Sequence, residues 1–480
     1  MRMRCASKTD DDRAAEANMA WGKPSPDDAA DKPAWLPRLE KNDPTLTSLH
    51  VLRFRPFDEA LQVATAKALE ENDSLVEFYA SGHRVSGVGA EAWAKMLAMN
   101  VKLQSLCIGD DEFGSALEEG GETSALDVVL KGLAHSATME KIDLEYKGVR
   151  DASGEAIGRF MSQCGSLKEV RLGRNDKLSE TGYRAAFAGA SEGGSLEALD
   201  LSDSKLDDGS ARALADVLRS TCPIKTLGLT RCELTGDGLA ALGSGLAKCD
   251  QLRHLELSGV KLGNGGAEAC FSQLAGEKLR VSEANFVQCG ISELRDVQGL
   301  DAFLCASSEL TNVNLRGNEF GDDGLAHLSR GAFAAHTPAS IDFGSCGITS
   351  SGTECLKFAL TGSTSLSLFD NPKLGDDGVA KLFDAARGSS VTMLDLGAVG
   401  LSAAGLEAMV KSFGDDQTFP NLRTLVIGGN PGAQEDAWEG LVNNLRAIRP
   451  ALDVAWRAAD GGDDSKLQRD ESGRVTGVEK

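Results

Sequence analysis

The sequence predicts an α/β solenoid in which short parallel strands stack into one sheet and helices stack against its other side. Three observations predict this fold. An apolar pattern recurs every 28 or 29 residues, a strand-like apolar alternation stands at its centre, and helix-like leucine spacing follows it. A unit with one apolar side buries that side by stacking on copies of itself, so the repeat predicts one continuous array.

The repeat is clearest between residues 196 and 320. If the first apolar residue is place 1, apolar residues stand at places 1, 4, 6 and 11, as in Leu196, Leu199, Leu201 and Leu206. The next four units begin 28, 28, 29 and 29 residues apart. The frame extends both ways to fourteen units, which begin at Leu46, Leu75, Leu103, Met139, Leu167, Leu196, Ile224, Leu252, Val281, Leu310, Pro338, Ser363, Val391 and Leu422.

Each unit divides into a strand, a turn and a helix. Places 4 and 6 point to one face of a short strand, because successive strand residues alternate. Place 9 stands at the turn, where Asn would bond neighbouring backbone groups and Cys would do so weakly. In the second half, Leu325 and Leu328 lie three apart on one helix face. Because helices are wider than strands, we expect a horseshoe with the strands on its concave side.

The repeat resembles the leucine-rich repeat of the ribonuclease-inhibitor-like subfamily, which has this length and Asn or Cys at place 9. The resemblance covers roughly residues 46–456, although amino-terminal units depart from it at place 9, as with Phe54 and His83. It implies a horseshoe-shaped binding protein: an inhibitor, adaptor, sensor or scaffold, including components of ciliary complexes. The matching residues at place 9 are Asn175, Cys232, Cys289, Asn318, Cys346, Asn371 and Asn430.

Composition narrows the function classes. The 480 residues carry a net charge of −22, with 54 glycines and 5% aromatic residues. Such acidity disfavours duplex nucleic acid as a partner, and no run of apolar residues is long enough to cross a membrane. The basic start runs into Thr9-Asp10-Asp11-Asp12 and not into an apolar segment, so we expect no secretory signal. Eleven cysteines without a Cys-x-x-Cys pair are expected to be reduced thiols, and we expect no metal site.

One repeat domain between two loose ends follows from the extent of the repeat. Residues 1–40 are expected to be disordered or to form a loose cap, with Trp35-Leu36 folding back on the first unit. Residues 41–457 form the array with a carboxy-terminal cap, and residues 458–480 form a disordered tail. Residues 1–40 and residues 457–480 each carry a net charge of −1, so most of the acidity belongs to the array. Residues 118–123 form an acidic insertion, either an unselected loop or a binding element.

Side chains at places 3, 5, 7 and 8 are expected to face the concave side, and we call this surface the concave face. Its 56 positions hold twelve acids and six bases. A recognition surface for a basic protein and a merely solvated acidic face are the two interpretations. Tyr79, Tyr146 and Phe369 are the best anchor candidates, with packing on a neighbouring unit as the alternative. The predicted partner-binding residues are Tyr79, Asp143, Glu145, Tyr146, Arg171, Asp200, Glu256, Asn285, Asn314, Asp342, Phe369 and Asp395.

These features predict a non-enzymatic interaction protein. We expect a protein partner, with a basic one favoured, and no catalytic residue, cofactor, small-molecule ligand, nucleic acid or membrane. One alternative is a Ran-type GTPase-activating protein, which would depend on Arg53 or Asn175. Another is the ligand-sensing part of an immune-type receptor, although no nucleotide-binding domain accompanies the repeats. The cytoplasm is the expected compartment, with the nucleus and cilium as alternatives.

Two local features have competing interpretations. Asp-Asp-Gly recurs at Asp207, Asp322 and Asp376, where helix capping is favoured over a calcium loop because the spacing follows the repeat. Cys107 stands at place 5 and is the one cysteine expected on the concave face, as a candidate reactive thiol. Cys232, Cys289 and Cys346 stand at the turn position of the unit and are expected to be structural.

Overall fold

The computed structural model describes residues 33–118, 121–192, 194–220 and 223–456, and the strands Leu467–Arg469 and Val475–Val478. One open sheet of 15 strands runs through the array, and the strand order follows the chain order from first to last. Each strand therefore pairs in parallel only with its neighbours in sequence, which confirms the predicted α/β solenoid. The expected behaviour of residues 1–32 lies outside the described residues.

The strands follow the predicted frame, because the first fourteen all include places 3 to 5 of a unit. Equal places pair across neighbouring strands, so that Asp143 lies beside Arg171 and Arg171 beside Asp200. The strands are β1 (Ser48–His50), β2 (Glu77–Ser81), β3 (Ser105–Gly109), β4 (Lys141–Asp143), β5 (Glu169–Arg171), β6 (Ala198–Asp200), β7 (Thr226–Gly228), β8 (His254–Glu256), β9 (Glu283–Asn285), β10 (Asn312–Asn314), β11 (Ser340–Asp342), β12 (Ser365–Ser367), β13 (Met393–Asp395), β14 (Thr424–Val426) and β15 (Asp453–Ala455).

Helices fill the second half of the units and pack against their neighbours. Short 3₁₀ turns replace or extend them in places, as at Gly352–Leu356. The helices are α1 (Trp35–Glu40), α2 (Glu59–Leu69), α3 (Gly87–Met99), α4 (Ala125–Leu133), α5 (Gly154–Gln163), α6 (Glu180–Glu192), α7 (Asp208–Arg219), α8 (Gly236–Leu246), α9 (Gly266–Phe271), α10 (Leu294–Ala306), α11 (Gly321–Arg330), α12 (Ala332–Ala335), α13 (Lys357–Gly362), α14 (Gly375–Ala385), α15 (Ala403–Ser412) and α16 (Ala437–Ile448).

The core lies between the sheet and the helices. In the sixth unit, Leu196, Leu199, Leu201 and Leu206 are at most 1% exposed, as places 1, 4, 6 and 11 predict. Burying one leucine side chain stabilises the fold by about 2 kcal/mol. Since every unit repeats these positions, the apolar core is continuous along the array.

Asparagine at place 9 ties each unit to the one before it. In Asn175, Nδ2 donates to the carbonyl oxygens of Leu144 and Leu172, and Oδ1 accepts the backbone N–H groups of Lys147 and Val149. Asn318 and Asn371 repeat this arrangement. Cysteine at place 9 makes a smaller contribution, since its thiol donates to the carbonyl of the preceding unit, as Cys232 does to Leu201 at 3.1 Å. The turn role predicted for place 9 is therefore confirmed.

Place 8 adopts a left-handed backbone in most units. The φ values of non-glycine residues there lie between 52° and 59°, and Gly82, Gly259, Gly317 and Gly429 take the place in four other units. This conformation favours Gly and, among other residues, Asn and Asp. The sequence frame did not predict it, because the residue types at place 8 vary widely. The non-glycine residues are Tyr146, Arg174, Asp203, Arg231, Gln288, Ser345, Asp370 and Ala398.

The Asp-Asp-Gly acids link consecutive helices. Asp207 accepts the N–H of Ser210 and so caps its own helix, α7. Asp208 Oδ1 instead accepts the N–H of Gly238 in the next helix at 2.9 Å. Asp322 and Asp376 likewise bond the start of the following helical segment, at the backbone N–H groups of Thr349 and Ser402. Capping of the acid's own helix is therefore confirmed at Asp207, whereas Asp322 and Asp376 bond the next unit and make no side-chain cap on α11 and α14.

Large apolar side chains close both ends of the core. At the amino-terminal end, Leu36 and Leu39 of α1 are at most 1% exposed, and the ring centroids of Trp35 and Phe57 lie 6.2 Å apart. At the other end, Trp438 of α16 is fully buried and lies 6.4 Å from the Trp456 ring. These contacts cover apolar surface that a further unit would otherwise bury.

Beyond the array, the described residues form one short antiparallel pair. The strands β16 (Leu467–Arg469) and β17 (Val475–Val478) pair with each other. The rest of residues 458–480 lies outside the described residues, where the expected loose tail stays a prediction. No helix within the described part of the chain is both long and apolar enough to cross a membrane.

Candidate protein-interaction surface

The concave face presents a ladder of place-5 side chains, one from each strand. In the middle of the array the paired register places Asp143, Arg171 and Asp200 side by side. Further along, Glu256 pairs with Asn285. Charged and polar groups therefore lie about one strand spacing apart, near 4.8 Å, along the sheet.

The twelve predicted residues differ widely in accessibility. Tyr146 is 61% exposed and Tyr79 is 36% exposed, so both rings are open to a partner. Asn314, Asp342 and Asp395 are at most 4% exposed, and they offer a partner little surface. The other seven are half-buried: Asp143, Glu145, Arg171, Asp200, Glu256, Asn285 and Phe369.

Many acids of the ladder have a structural role that sequence reasoning missed. The place-5 carboxylate accepts the backbone N–H of place 7 in the same unit. Asp143 accepts from Glu145 at 2.9 Å, and Asp342 accepts from Gly344 at 2.7 Å. These bonds hold the turn after the strand in an Asx-type arrangement. The spacing of Asp, Asn and Glu at place 5 before a left-handed place 8 is the signal that could have revealed it. Asp200, Glu256, Asn314 and Asp395 make the same bond.

A cluster of ion pairs connects places 7 and 8 of the fourth to seventh units. Arg174 lies 3.4 Å from Glu145 and 3.0 Å from Asp203. Arg231 binds Asp203 through both Nε and Nη2, at 2.5 and 2.7 Å. Hydrogen bonds from Arg231 and Arg174 hold the pKa of Asp203 below its usual range. Partial burial raises the pKa of Glu145, against the effect of Arg174.

A second group of ion pairs lies beside it at places 3 and 5. Glu169 accepts from Arg171 at 2.8 Å and lies 3.0 Å from Lys141. Although partial burial acts in the opposite direction, these two cations hold the pKa of Glu169 below its usual range. The mixed-charge patch expected around Arg171 and Arg174 is therefore present, and its charges are largely satisfied within the chain.

Phe369 is less available than an anchor would be. The guanidinium carbon of Arg316 lies 4.5 Å from the centroid of its ring. A cation–π contact of this kind stabilises the pair by about 0.5–1 kcal/mol near the surface. The packing alternative therefore describes Phe369 better than the anchor role does.

The amino-terminal end of the concave face holds a cavity of about 610 Å³. Tyr79 and Tyr146 line it together with Phe54, which stands at place 9 of the first unit. Sequence reasoning treated Phe54 as a degenerate turn residue and did not include it among the candidates. Its 70% exposure would have been difficult to predict, because place 9 is buried where the unit carries Asn or Cys.

Two further predictions concern neighbouring elements. Cys107 is 6% exposed, and burial raises its pKa to about 11, so both its access and its pKa disfavour the candidate reactive thiol on the concave face. The acidic insertion is only partly described, with residues 119 and 120 left out. Its ends approach each other, since the N–H of Leu117 donates to the carbonyl of Thr123.

Comparisons with known proteins agree with this architecture. The leucine-rich repeat family model matches residues 195–215, 307–329 and 364–383. Ribonuclease inhibitor of Sus scrofa is 25% identical over 351 residues, covering 72% of this chain and 69% of the inhibitor. The Mus musculus inhibitor is 24% identical, covering 63% and 71%. The chain is a leucine-rich-repeat protein. Its repeats are of the ribonuclease-inhibitor-like type, as the resemblance in the sequence implied.

Other similar proteins are larger or more distant. The human NACHT, LRR and PYD domains-containing protein 14 is 29% identical over 255 residues, which cover 52% of this chain and 23% of that protein. Among solved structures, an internalin from Listeria monocytogenes has a TM-score of 0.40 at 14% identity, covering 75% of this chain and 88% of its own. The Rad7 and Elc1 complex in yeast has a TM-score of 0.39 at 14% identity, covering 70% and 84%.

Proposed function

We propose that this chain is a non-enzymatic scaffold or adaptor that binds a basic protein partner on its concave face. The observation that supports this most is the frame itself: fourteen units turn their places 3, 5, 7 and 8 to one face of the sheet, where acids outnumber bases by twelve to six. Solenoids use such extended faces for binding, and an acidic field attracts basic partners. We also propose the cytoplasm as its compartment, where reduced thiols are the rule.

Acids of the middle units would contribute most to the field at this face. Asp143, Asp200 and Glu256 are half-buried, and each accepts the backbone N–H of its own turn. A carboxylate held in this way loses little further side-chain entropy when it meets a cation. Neighbouring Arg171 and Arg174 would fix the position of a partner, since they would repel any of its basic groups that were out of register.

One of the two residues on which the GTPase-activator alternative depends is not accessible to a partner. Asn175 is 3% exposed, and both ends of its amide bond the backbone of its own and the preceding unit. Only Arg53 remains accessible. In a GTP hydrolysis assay with a Ran-type GTPase, we expect no acceleration by this chain; acceleration lost in Arg53→Ala would favour the alternative.

A charge-neutralising triple variant tests the proposed function. Asp143→Asn, Asp200→Asn and Glu256→Gln remove three charges from the concave face and keep an oxygen that accepts the turn N–H. We expect a partner captured by cross-linking and mass spectrometry to bind roughly tenfold more weakly, since charge pairs at an interface commonly contribute 1 kcal/mol or more.

The control removes the same number of negative charges from the helix side of the array. Glu91→Gln, Asp237→Asn and Asp384→Asn change exposed acids of α3, α8 and α14 and leave the concave face intact. If both triple variants weaken the partner equally, net charge alone governs binding. If neither does, the concave face is not the binding surface.

A further inference from the structure

The exposed aromatic side chains of the described residues all lie in one place. They are Phe54, Tyr79 and Tyr146, which are 70%, 36% and 61% exposed. The other aromatic residues that the structure describes are buried or half-buried. All three line the 610 Å³ cavity at the amino-terminal end of the concave face. Such a concentration on one cavity points to a contact surface, because exposed rings are otherwise scattered singly.

Tyr146 is placed by the repeat itself. It stands at place 8 with a φ of 55°, and its N–H donates to the carbonyl of Gly173 at 3.1 Å. Arg174 and Arg231, at place 8 of later units, adopt the same backbone and make the equivalent bond to the following unit. The turn therefore holds the backbone of Tyr146 without a partner and leaves its ring 61% exposed at the cavity.

Three carboxylates and two cations also line the cavity. Asp110, Asp111 and Glu145 supply the negative charge. Lys147 is 2% exposed, and its Nζ donates to Ser81 Oγ at 2.5 Å and to the carbonyl of Gly109 at 2.9 Å, so its hydrogen bonds are directed into the protein.

The carboxylates of the cavity are more available to a bound ligand than its cations are. Neither Asp110 nor Asp111 has an ion-pair partner within 4.0 Å among the described residues. Glu145 already lies 3.4 Å from Arg174, so Asp110 and Asp111 are the carboxylates of the cavity that remain open to a guest cation. Arg53 is the exposed cation at the opposite, Phe54 side.

We propose that this cavity receives an arginine side chain of the partner protein, with its guanidinium stacked on Tyr79 and Tyr146 and paired with Asp111. The planar guanidinium stacks on aromatic faces and binds carboxylates at its edge, which an ammonium group does less well. This inference rests on the proposed function and deepens it, since it names the anchor of a basic partner.

Fluorescence anisotropy with labelled peptides tests the proposal on the full chain at 150 mM salt. The probe is the peptide acetyl-(Gly-Arg)₃-amide, and its citrulline and glutamate counterparts keep the length but remove or reverse the charge. We expect the arginine peptide to bind most tightly. Tyr146→Ala and Asp111→Asn should each weaken it roughly three- to tenfold, the size of one cation–π or charge contact.

Matched variants separate the site from general effects. Tyr146→Phe keeps the ring and should bind like the wild type, whereas Tyr146→Leu keeps only bulk and should resemble Tyr146→Ala. Asp384→Asn changes the net charge as Asp111→Asn does, but on α14, and should change the affinity less than about twofold. Preference for the glutamate peptide, unchanged binding in Tyr146→Leu, or equal losses in the two aspartate variants would overturn the proposal.

The two proposals fail in different ways. If the partner depends on the middle-unit acids Asp143, Asp200 and Glu256 but not on Tyr146, the cavity proposal fails and the concave-face proposal stands. The opposite result is that Tyr146→Ala weakens the arginine peptide, while neither the triple variant of the concave face nor the cavity variants change the affinity of the captured partner. In that case the cavity binds arginine and the proposed function fails.

Discussion

Asn318 accepts the backbone N–H of Cys289 through its side-chain Oδ1 at 3.1 Å, across the boundary between two units. The same oxygen accepts from Ile291, and Nδ2 donates to the carbonyls of Phe286 and Leu315. Two backbone N–H groups and two backbone carbonyls of the turn therefore form hydrogen bonds with one fully buried side-chain amide. Bulk solvent does not compete for these bonds, because the side chain is fully buried.

Replacement of Asn318 should accordingly be costly. Asn318→Ala leaves these donors and acceptors unpaired, and we expect a loss of about 3 kcal/mol or more in unfolding free energy, measured by urea denaturation. Asn318→Cys is the matched control, since Cys289 and Cys346 fill place 9 in the adjacent units. It should recover part of the loss through a thiol bond to one carbonyl. Equal losses of unfolding free energy in Asn318→Ala and Asn318→Cys would contradict this role of the place-9 side chain.

A close approach between α5 and α6 gives the second prediction. A Cβ added at Gly189 would lie 1.9 Å from the carbonyl oxygen of Gly158, far inside van der Waals contact. Gly189→Ala should therefore force the helices apart and cost roughly 1–3 kcal/mol. Gly440→Ala in α16 is the control, because nothing lies within 4 Å of that Cβ.

The control should move in the opposite direction. Alanine at Gly440 should stabilise the helix by about 0.5–1 kcal/mol, since glycine loses more backbone freedom on folding. Thermal melts of the two variants beside the wild type measure both effects. Similar melting temperatures for Gly189→Ala and Gly440→Ala would contradict the close packing of α5 and α6.

We expect Asp203 to contribute to the stability of the fold in a way that depends on pH. Its pKa is lowered by Arg231 and Arg174, so the folded state binds its proton less tightly than the unfolded state does. The contribution is therefore present above the ordinary pKa of 3.8 and is lost as the pH falls through the lowered folded value. For a surface network we expect about 1 kcal/mol or less, reduced by salt.

The measurement compares Asp203→Asn with the wild type. Their urea midpoints should differ at pH 7 and approach each other as the pH falls below 3.8, and high salt should narrow the gap at pH 7. A difference that stays constant across this range would show that the guanidinium of Arg231 does not act through the charge of Asp203.

The sequence predicted the strands well and the surface less completely. Apolar side chains such as Leu199 must be buried in every unit, so their period places all fourteen strands. Asp342 and Asp200 occupy the same place, yet one is 4% exposed and the other half-buried, because the neighbouring units decide how much covers them. The cavity joins the first unit to the fourth through Phe54 and Tyr146, and a one-dimensional repeat does not indicate which distant units share a surface.

Cysteine reactivity provides the last prediction. Cys305 in α10 is exposed, whereas Cys107 is 6% exposed in β3, with burial raising its pKa to about 11. Partial burial and Asp301 also raise the pKa of Cys305, so neither thiol is activated, and its exposure favours labelling of Cys305. With iodoacetamide at pH 8, peptide mass mapping should show Cys305 labelled at least roughly tenfold faster than Cys107 in the folded chain. In urea the two rates should converge, because both thiols are then open to solvent. Faster labelling of Cys107 in the folded chain would restore it as a reactive group on the concave face.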